Sequence, residues 1–342
     1  MRRSRLTGAA LLAAPLTVTL LLAGCSNSAD PVSVTSTDSP SPSSPASSTG
    51  EPTDGASSPA AGEHPTDDGG FGEPPTETMP DSAAPSTLAA KVIRKGDGPE
   101  VASGDFVVVN YVGQIWNTGS TFDSSFERGT PAAFGIGVGQ VIPGWDKGLV
   151  GQTVGSRVLL VIPPADGYGP GGNPQAGIAG DDTLVFVVDI VGTGAAGQTA
   201  KGTPTPVEDD GTPAVSVLPK QPEVTIPPGD APPKFFATAV VTGKGPQVKK
   251  GDFVVVQYVG KIWNSGKTFD STWDRGQPAA LGIGVGQFIA GWDKGLVGQT
   301  VGSRVLLVIP PADGYGPAGN PDAGITGKDT LVFAVDILAA YS

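Results

Sequence analysis

One eighteen-residue phrase is written twice in this chain. VVVNYVGQIWNTGSTFDS runs from Val107 to Ser124, and VVVQYVGKIWNSGKTFDS from Val254 to Ser271, 147 residues later. The offset holds without insertion or deletion from Leu88–Ile190 to Phe235–Ile337, and Gly144–Pro170 recurs letter for letter as Gly291–Pro317. A period of this length is domain-sized, too long for the stacked units of a solenoid. The chain must therefore hold one fold twice, and any site it carries exists in two versions.

Composition bounds the chemistry. Hydrophobic residues make up 38% of 342 positions, with 51 Gly and 34 Pro unevenly placed, so only the repeated stretches look packable. Net charge is −12 and no Lys/Arg cluster follows Arg5. Nucleic acid is excluded as a partner, because its binding needs a basic footprint. Cys25 is the sole cysteine and His64 the sole histidine, the latter in a polar tract. Internal disulfides, thiolate metal sites and Cys–His or Ser–His catalysis are therefore unavailable to either repeat. No metal or cofactor is expected.

Arg2, Arg3 and Arg5 precede an apolar run, Leu11–Ala23, that is too short to span a bilayer and ends Leu22-Ala23-Gly24-Cys25. This reads as a secretory signal, and its end resembles a bacterial lipobox, whose cysteine is lipidated and becomes the new N-terminus. The expectation is a signal over 1–24 and a lipid on Cys25 holding an exported chain to the outer face of the cell membrane. Residues 25–85 are Ser, Thr, Pro, Asp and Gly with few aliphatics. Such a stretch buries too little apolar area to offset its ordering entropy, so a disordered tether is expected. Residues 196–233 read as a Pro-rich linker that spaces a first domain, 86–195, from a second, 234–342.

Within the first repeat, Thr87–Arg94, Phe106–Val112, Thr121–Phe126, Arg157–Ile162 and Thr183–Val191 read as strands. Pro143–Leu149 is the one helical candidate, with Pro143 suited to a helix start. Many strands and one small helix give an α+β fold, an antiparallel sheet that covers its face with that helix. In Arg157–Ile162 the residues Leu159 and Val161, with Leu306 and Val308 in the second copy, alternate with the core-facing ones. They are expected to leave an apolar outer face suited to docking.

The aromatics fall at turns and strand ends. Tyr168 lies in the loop Asp166-Gly167-Tyr168-Gly169-Pro170, where a ring with a hydroxyl more often meets a ligand than the core. Five motifs follow in order in each copy: Tyr-x-Gly, Thr-Phe-Asp-Ser, Val-Ile-x-Gly-Trp (Phe-Ile-x-Gly-Trp in the second), Gly-Tyr-Gly and Thr-Leu-Val-Phe. In that order and spacing they resemble the FKBP-type peptidyl-prolyl cis–trans isomerases, over both repeats from end to end. The resemblance implies two domains, each a curved antiparallel sheet wrapped around one short helix, with a pocket between sheet and helix.

Carried over by position, the resemblance floors the first pocket with Trp145 and walls it with Tyr111, Phe122, Val141, Ile142 and Phe186. Asp123 stands at the polar edge, paired with Arg128. The Ile142 N–H and the Tyr168 hydroxyl hold the substrate backbone, and Ile178 lies in a loop that closes over the site. The second copy repeats this with Tyr258, Phe269, Phe288, Ile289, Trp292 and Phe333, with Asp270 paired to Arg275, and with Tyr315 and Ile325. Asp123, Tyr168, Asp270 and Tyr315 are the implied catalytic set. Ala132 and Ala279, Gln140 and Gln287, and Asn173 and Asn320 depart from the family's usual aromatic, acidic and histidine residues, which weakens the expectation of macrolide binding.

The implied activity is isomerisation of X–Pro bonds in proline-containing peptides and unfolded exported proteins, by a monomer. It needs no nucleophile, metal or histidine. Two other classes stay open on sequence alone: a non-catalytic bivalent binder of proline peptides, and a structural spacer. Phe288 in place of Val141, and Trp273 in place of Phe126, lead us to expect a narrower second pocket with a different preference before proline.

Overall fold

The computed structural model describes residues 65–67, 69–207, 211–217 and 219–342. The expected signal, the expected lipid site at Cys25 and the expected tether through residue 64 lie outside the described residues. The first domain contains β1 (Thr66–Asp67), β2 (Glu77–Thr78), β3 (Ala89–Arg94), β4 (Asp105–Ile115), β5 (Thr121–Ser124), α1 (Ser125–Arg128), β6 (Ala132–Gly135), α2 (Pro143–Leu149), β7 (Arg157–Ile162) and β8 (Leu184–Ala195). Between the domains come β9 (Gly202–Pro204), β10 (Ala214–Val215) and β11 (Val224–Thr225). The second domain then repeats the set as β12 (Phe236–Gly243), β13 (Phe253–Ile262), β14 (Thr268–Ser271), α3 (Thr272–Arg275), β15 (Ala279–Gly282), α4 (Ala290–Leu296), β16 (Arg304–Ile309) and β17 (Leu331–Tyr341).

The first sheet runs β3-β7-β8-β4-β5 with β6 also on β4, and every pairing is antiparallel. Register shifts at Val108/Val109 and Gly113/Gln114 bend it. The strands show the period of two that their sequences promise. Val158, Leu160 and Ile162 of β7 face the main core, while Leu159 and Val161 join a separate cluster on the other face. Helix α2 closes the concave side, burying Gly144, Trp145, Gly148 and Leu149. It lies close: a Cβ on Gly144 would stand 2.6 Å from Ile162, and one on Gly148 2.6 Å from Leu160. Only glycine permits that approach.

Four expectations need correction. Phe126 is not in a strand: Ser124 caps a helical turn by accepting from the Glu127 N–H, so β5 stops there. The tether does not run to residue 85, and the outer sheet face is not bare. From Pro65 the chain forms the β1–β2 hairpin and lies over that face, where Met79 and Ala84 pack on Trp116, Leu159, Val161 and Val187. Leu159 and Val161 are 1% and 0% exposed. Nor is the linker a bare spacer: β9 extends the second sheet beside β12, and the β10–β11 hairpin covers Leu306 and Val308.

These two coverings are one structure built twice. Trp116 Nε1 donates to Ser82 O at 3.1 Å, and Trp263 Nε1 to Gly229 O at 3.0 Å. Arg157 Nη2 donates to Glu73 O at 2.7 Å, and Arg304 Nη2 to Lys220 O at 2.8 Å. Each acceptor sits 147 residues from its counterpart, so the duplicated unit includes a strap upstream of Leu88 whose sequence has diverged. Beneath each strap is a buried bidentate ion pair, Arg157–Asp189 and Arg304–Asp336, with Nε–Oδ1 distances of 2.6 Å. Its remaining hydrogen-bonding groups are met largely by the strap, as a desolvated pair requires.

The domains also meet each other. Phe106, Val108, Ala133 and Val191 join Phe253, Val255, Ala280 and Leu338 in one apolar cluster. Each of these has its repeat counterpart across the contact, the pattern of an isologous interface within a single chain.

Candidate functional site

Strands β4, β5, β6 and β8 and helix α2 bring the rings together. Trp145 sits 5.3 Å from Tyr111, Phe134 and Phe186, each edge-on, and Phe122 stands 5.5 Å from Phe186. This meeting depends on Gly113, where a Cβ would come within 2.7 Å of both Phe122 and Phe186. The result is a hollow of about 40 Å³ lined by these rings with Asp123, Val141, Ile142 and Tyr168. The sequence-predicted floor, walls and polar edge are thus in one place.

The polar edge is a closed triad. The Tyr111 hydroxyl donates to Asp123 Oδ2, Arg128 Nη1 donates to Asp123 Oδ1, and Arg128 Nη2 donates to the Tyr111 hydroxyl at 3.1 Å. The guanidinium also lies 5.5 Å from the centre of the Tyr111 ring. Burial, and then the hydrogen bond to Asp123, hold the Tyr111 hydroxyl above the usual phenol range. Burial likewise raises Tyr168, with Asp123 adding to the shift and Asn173 opposing it. Both hydroxyls therefore keep their protons at neutral pH and remain donors.

Ile142 stands at the start of α2 in extended conformation, its carbonyl accepting from the Trp145 N–H at 2.9 Å. Its own N–H has no protein partner among the described residues. The Trp145 indole N–H is likewise buried without an acceptor. Ile178 does not line the hollow. It is 3% exposed and packs in the core, where antiparallel bonds with Asn173 hold it. Ile325 is placed the same way beside Asn320.

Two residues escaped the sequence reading. Phe134 completes the wall, and its counterpart is Leu281, so comparison of the repeats hid it. Asp146 accepts from the Gly137 and Gly139 N–H groups at 2.7 and 2.8 Å and so fixes the loop leading into Val141 and Ile142. Asp293 does the same for Gly284 and Gly286. The signal available was Gly-Trp-Asp, present in both copies.

In the second domain Trp292 lies 5.1 Å from Tyr258 and 5.3 Å from Phe333, and Phe269 5.4 Å from Phe333. Tyr258, Asp270 and Arg275 rebuild the triad. Two positions differ. Leu281 replaces the Phe134 ring, and Phe288, 43% exposed, lies tilted at 32° over Trp292 with centroids 6.5 Å apart. Tyr315 is 38% exposed, Ile289 half-buried.

The chain is similar to known proteins. The family profile described as FKBP-type peptidyl-prolyl cis-trans isomerase matches residues 98–191 and 245–338. An FK506-binding protein of Streptomyces anulatus is 46% identical over 119 residues, which is 35% of this chain and 96% of that protein. Peptidyl-prolyl cis-trans isomerase FKBP9 of Rattus norvegicus is 32% identical over 252 residues, covering 74% of this chain but only 38% of the relative's length. The crystal structure of FkpA from Escherichia coli is 40% identical with a TM-score of 0.30, over 32% of this chain and 49% of that one. With two matched copies that together take up more than half of its length, the chain belongs to the FKBP-type peptidyl-prolyl cis–trans isomerase family.

Proposed function

We propose that the chain catalyses cis–trans isomerisation of X–Pro bonds in exported proteins, from a lipid anchor on Cys25 at the outer face of the cell membrane. The observation that carries the catalytic reading is the ring-lined hollow floored by Trp145, with no charged group inside its apolar part. Rotation about the amide faces a barrier of about 18–20 kcal/mol and takes tens of seconds or more unaided. A twisted amide loses the charge separation of the planar one, so a dry apolar hollow favours the twisted form. Each ~1.4 kcal/mol of that preference gives about tenfold in rate.

The Ile142 N–H and the Tyr168 hydroxyl orient the carbonyls flanking the prolyl ring. Asp123, held by Tyr111 and Arg128, supplies fixed electrostatics at the rim and moves no proton. Expected substrates are proline-containing peptides and unfolded chains, bound by a monomer.

The test is isomerisation of a proline tetrapeptide by the full chain. Acceleration is expected, with a loss of tenfold or more when Trp145→Leu and Trp292→Leu are combined and circular dichroism shows the fold intact. Tight peptide binding without acceleration would instead favour a bivalent binding module. Indifference to Tyr168→Phe, Asp123→Ala and their second-copy equivalents would favour a spacer. For the anchor, Cys25→Ser is expected to move the protein from the membrane fraction to the medium.

A further inference from the structure

A second cavity, of about 110 Å³, lies where the domains meet. The first domain lines it with Phe106, Phe134 and Gln140, the second with Val255, Gln277 and Pro278. Its walls are apolar apart from the two glutamine amides, which approach each other over Gly135. Gln277 Oε1 is buried there and accepts no hydrogen bond. An orphaned buried carbonyl is costly unless something donates to it.

This cavity adjoins the first hollow. The Phe134 ring lines both, and Gln140 directly precedes Val141 and Ile142 on the lip of the hollow. A peptide with its prolyl ring over Trp145 and its chain running past Phe134 enters the cavity within a residue or two, at about 3.3–3.6 Å per extended residue. An aliphatic side chain fits the space between Phe106, Phe134 and Pro278, and the Gln277 amide on the wall turns its shielded Oε1 toward a main-chain N–H as the peptide enters.

We propose that the cavity continues the peptide site of the first domain, so that Gln277 and Pro278 of the second domain select an apolar residue flanking the X–Pro pair. The proposal rests on the peptide-binding reading of the first hollow. It applies to one site only. The residues equivalent to Gln277 and Phe134 in the opposite sense are Thr130, which is shorter, and Leu281, which is 8% exposed and closed into its own core.

The experiment compares a proline tetrapeptide with eight-residue peptides carrying either leucine or aspartate at the flanking positions. The full chain is used with Gln277→Ala, with Pro278→Ala as a second variant and Thr130→Ala as the control. Isomerisation rate and affinity, read by tryptophan fluorescence, are both measured. The leucine octapeptide is expected to exceed the tetrapeptide, and Gln277→Ala to cut that advantage about fivefold, the worth of one hydrogen bond. Tetrapeptide values should not move, and Thr130→Ala should be silent.

Equal losses on short and long peptides would show that Gln277 acts through nearby Arg275 on the second site, and the proposal would fall. It would fall too if leucine and aspartate flanks bound alike. Absence of isomerisation would sink the catalytic reading alone, since affinity still decides this one. Absence of binding by either peptide would sink both.

Discussion

The two domains share a scaffold to the residue and differ in where they keep one aromatic ring. In the first, Phe134 stands in the wall against Trp145, and small Val141 leaves the mouth open. In the second, the wall position is Leu281 and the ring has moved to the mouth as Phe288. The straps show the same economy. Both cross the outer sheet face and offer carbonyls to the same arginine and tryptophan, yet Glu77 of the first occupies the position of Val224 in the second. Main-chain contacts were kept through divergence while side chains changed. The shared architecture therefore sits in the backbone, and the individuality of each copy in a few exchangeable side chains.

The largest effect should come from what the copies share. Asp189→Ala and Asp336→Ala each leave an arginine buried beneath a strap without its bidentate partner, at a cost of about 3–5 kcal/mol apiece. Urea unfolding followed by tryptophan fluorescence reads both, and a much smaller loss in one copy would break the equivalence of the straps. Next comes what separates them. Both Glu77 carboxylate oxygens are buried without partners. Desolvation, and then Asp67, push the group from 4.5 to about 7, while Arg157 pulls the other way.

A carboxyl raised on folding stabilises the protonated folded state. The Glu77 contribution to the stability of the first domain is therefore fully present below about pH 4.5, and about 2 kcal/mol of it is lost as pH climbs through 7, after allowance for partial exposure. Glu77→Val should abolish that slope, measured by urea unfolding across pH, and the second domain should show no such slope from Val224.

A third, smaller effect concerns the rings. Leu281→Phe with Phe288→Val, made in the full chain, should shift the preference of the second site for the residue before proline about tenfold toward that of the first. Competing tetrapeptides read this, and identical preferences in the parent copies would remove the premise. Least costly are Trp116→Phe and Trp263→Phe, each removing one strap hydrogen bond for about 1 kcal/mol. Equal shifts in the urea midpoint would confirm matched anchoring.

Much of this was legible in the sequence because rings and glycines carry it. Trp145, Phe186, Phe122 and Gly113 are identical in kind in both copies, and their spacing survives because any added Cβ at Gly113 would collide with two rings. The straps were illegible for the opposite reason. Apart from the Asp67 carboxylate on Arg157, they hold on largely through carbonyls of Glu73, Ser82, Lys220 and Gly229, which any residue can supply, so composition alone reads Pro65–Pro85 as loose tether. The contact between domains escaped as well, since Phe106 and Val108 alternate with core residues and look like an ordinary second face of β4.

The straps decide how this molecule can be taken apart. A half-molecule started at residue 86 or 234, where the obvious homology begins, would lay bare Leu159 and Val161 or Leu306 and Val308, together with an undressed arginine–aspartate pair. Its precipitation in the test tube would report on the scissors and not on the protein. Cuts ahead of Pro65 and between Ala195 and Ala200 leave each cassette its own coat, and the apolar surface they bare is the contact of Phe106 and Val108 with Phe253 and Val255.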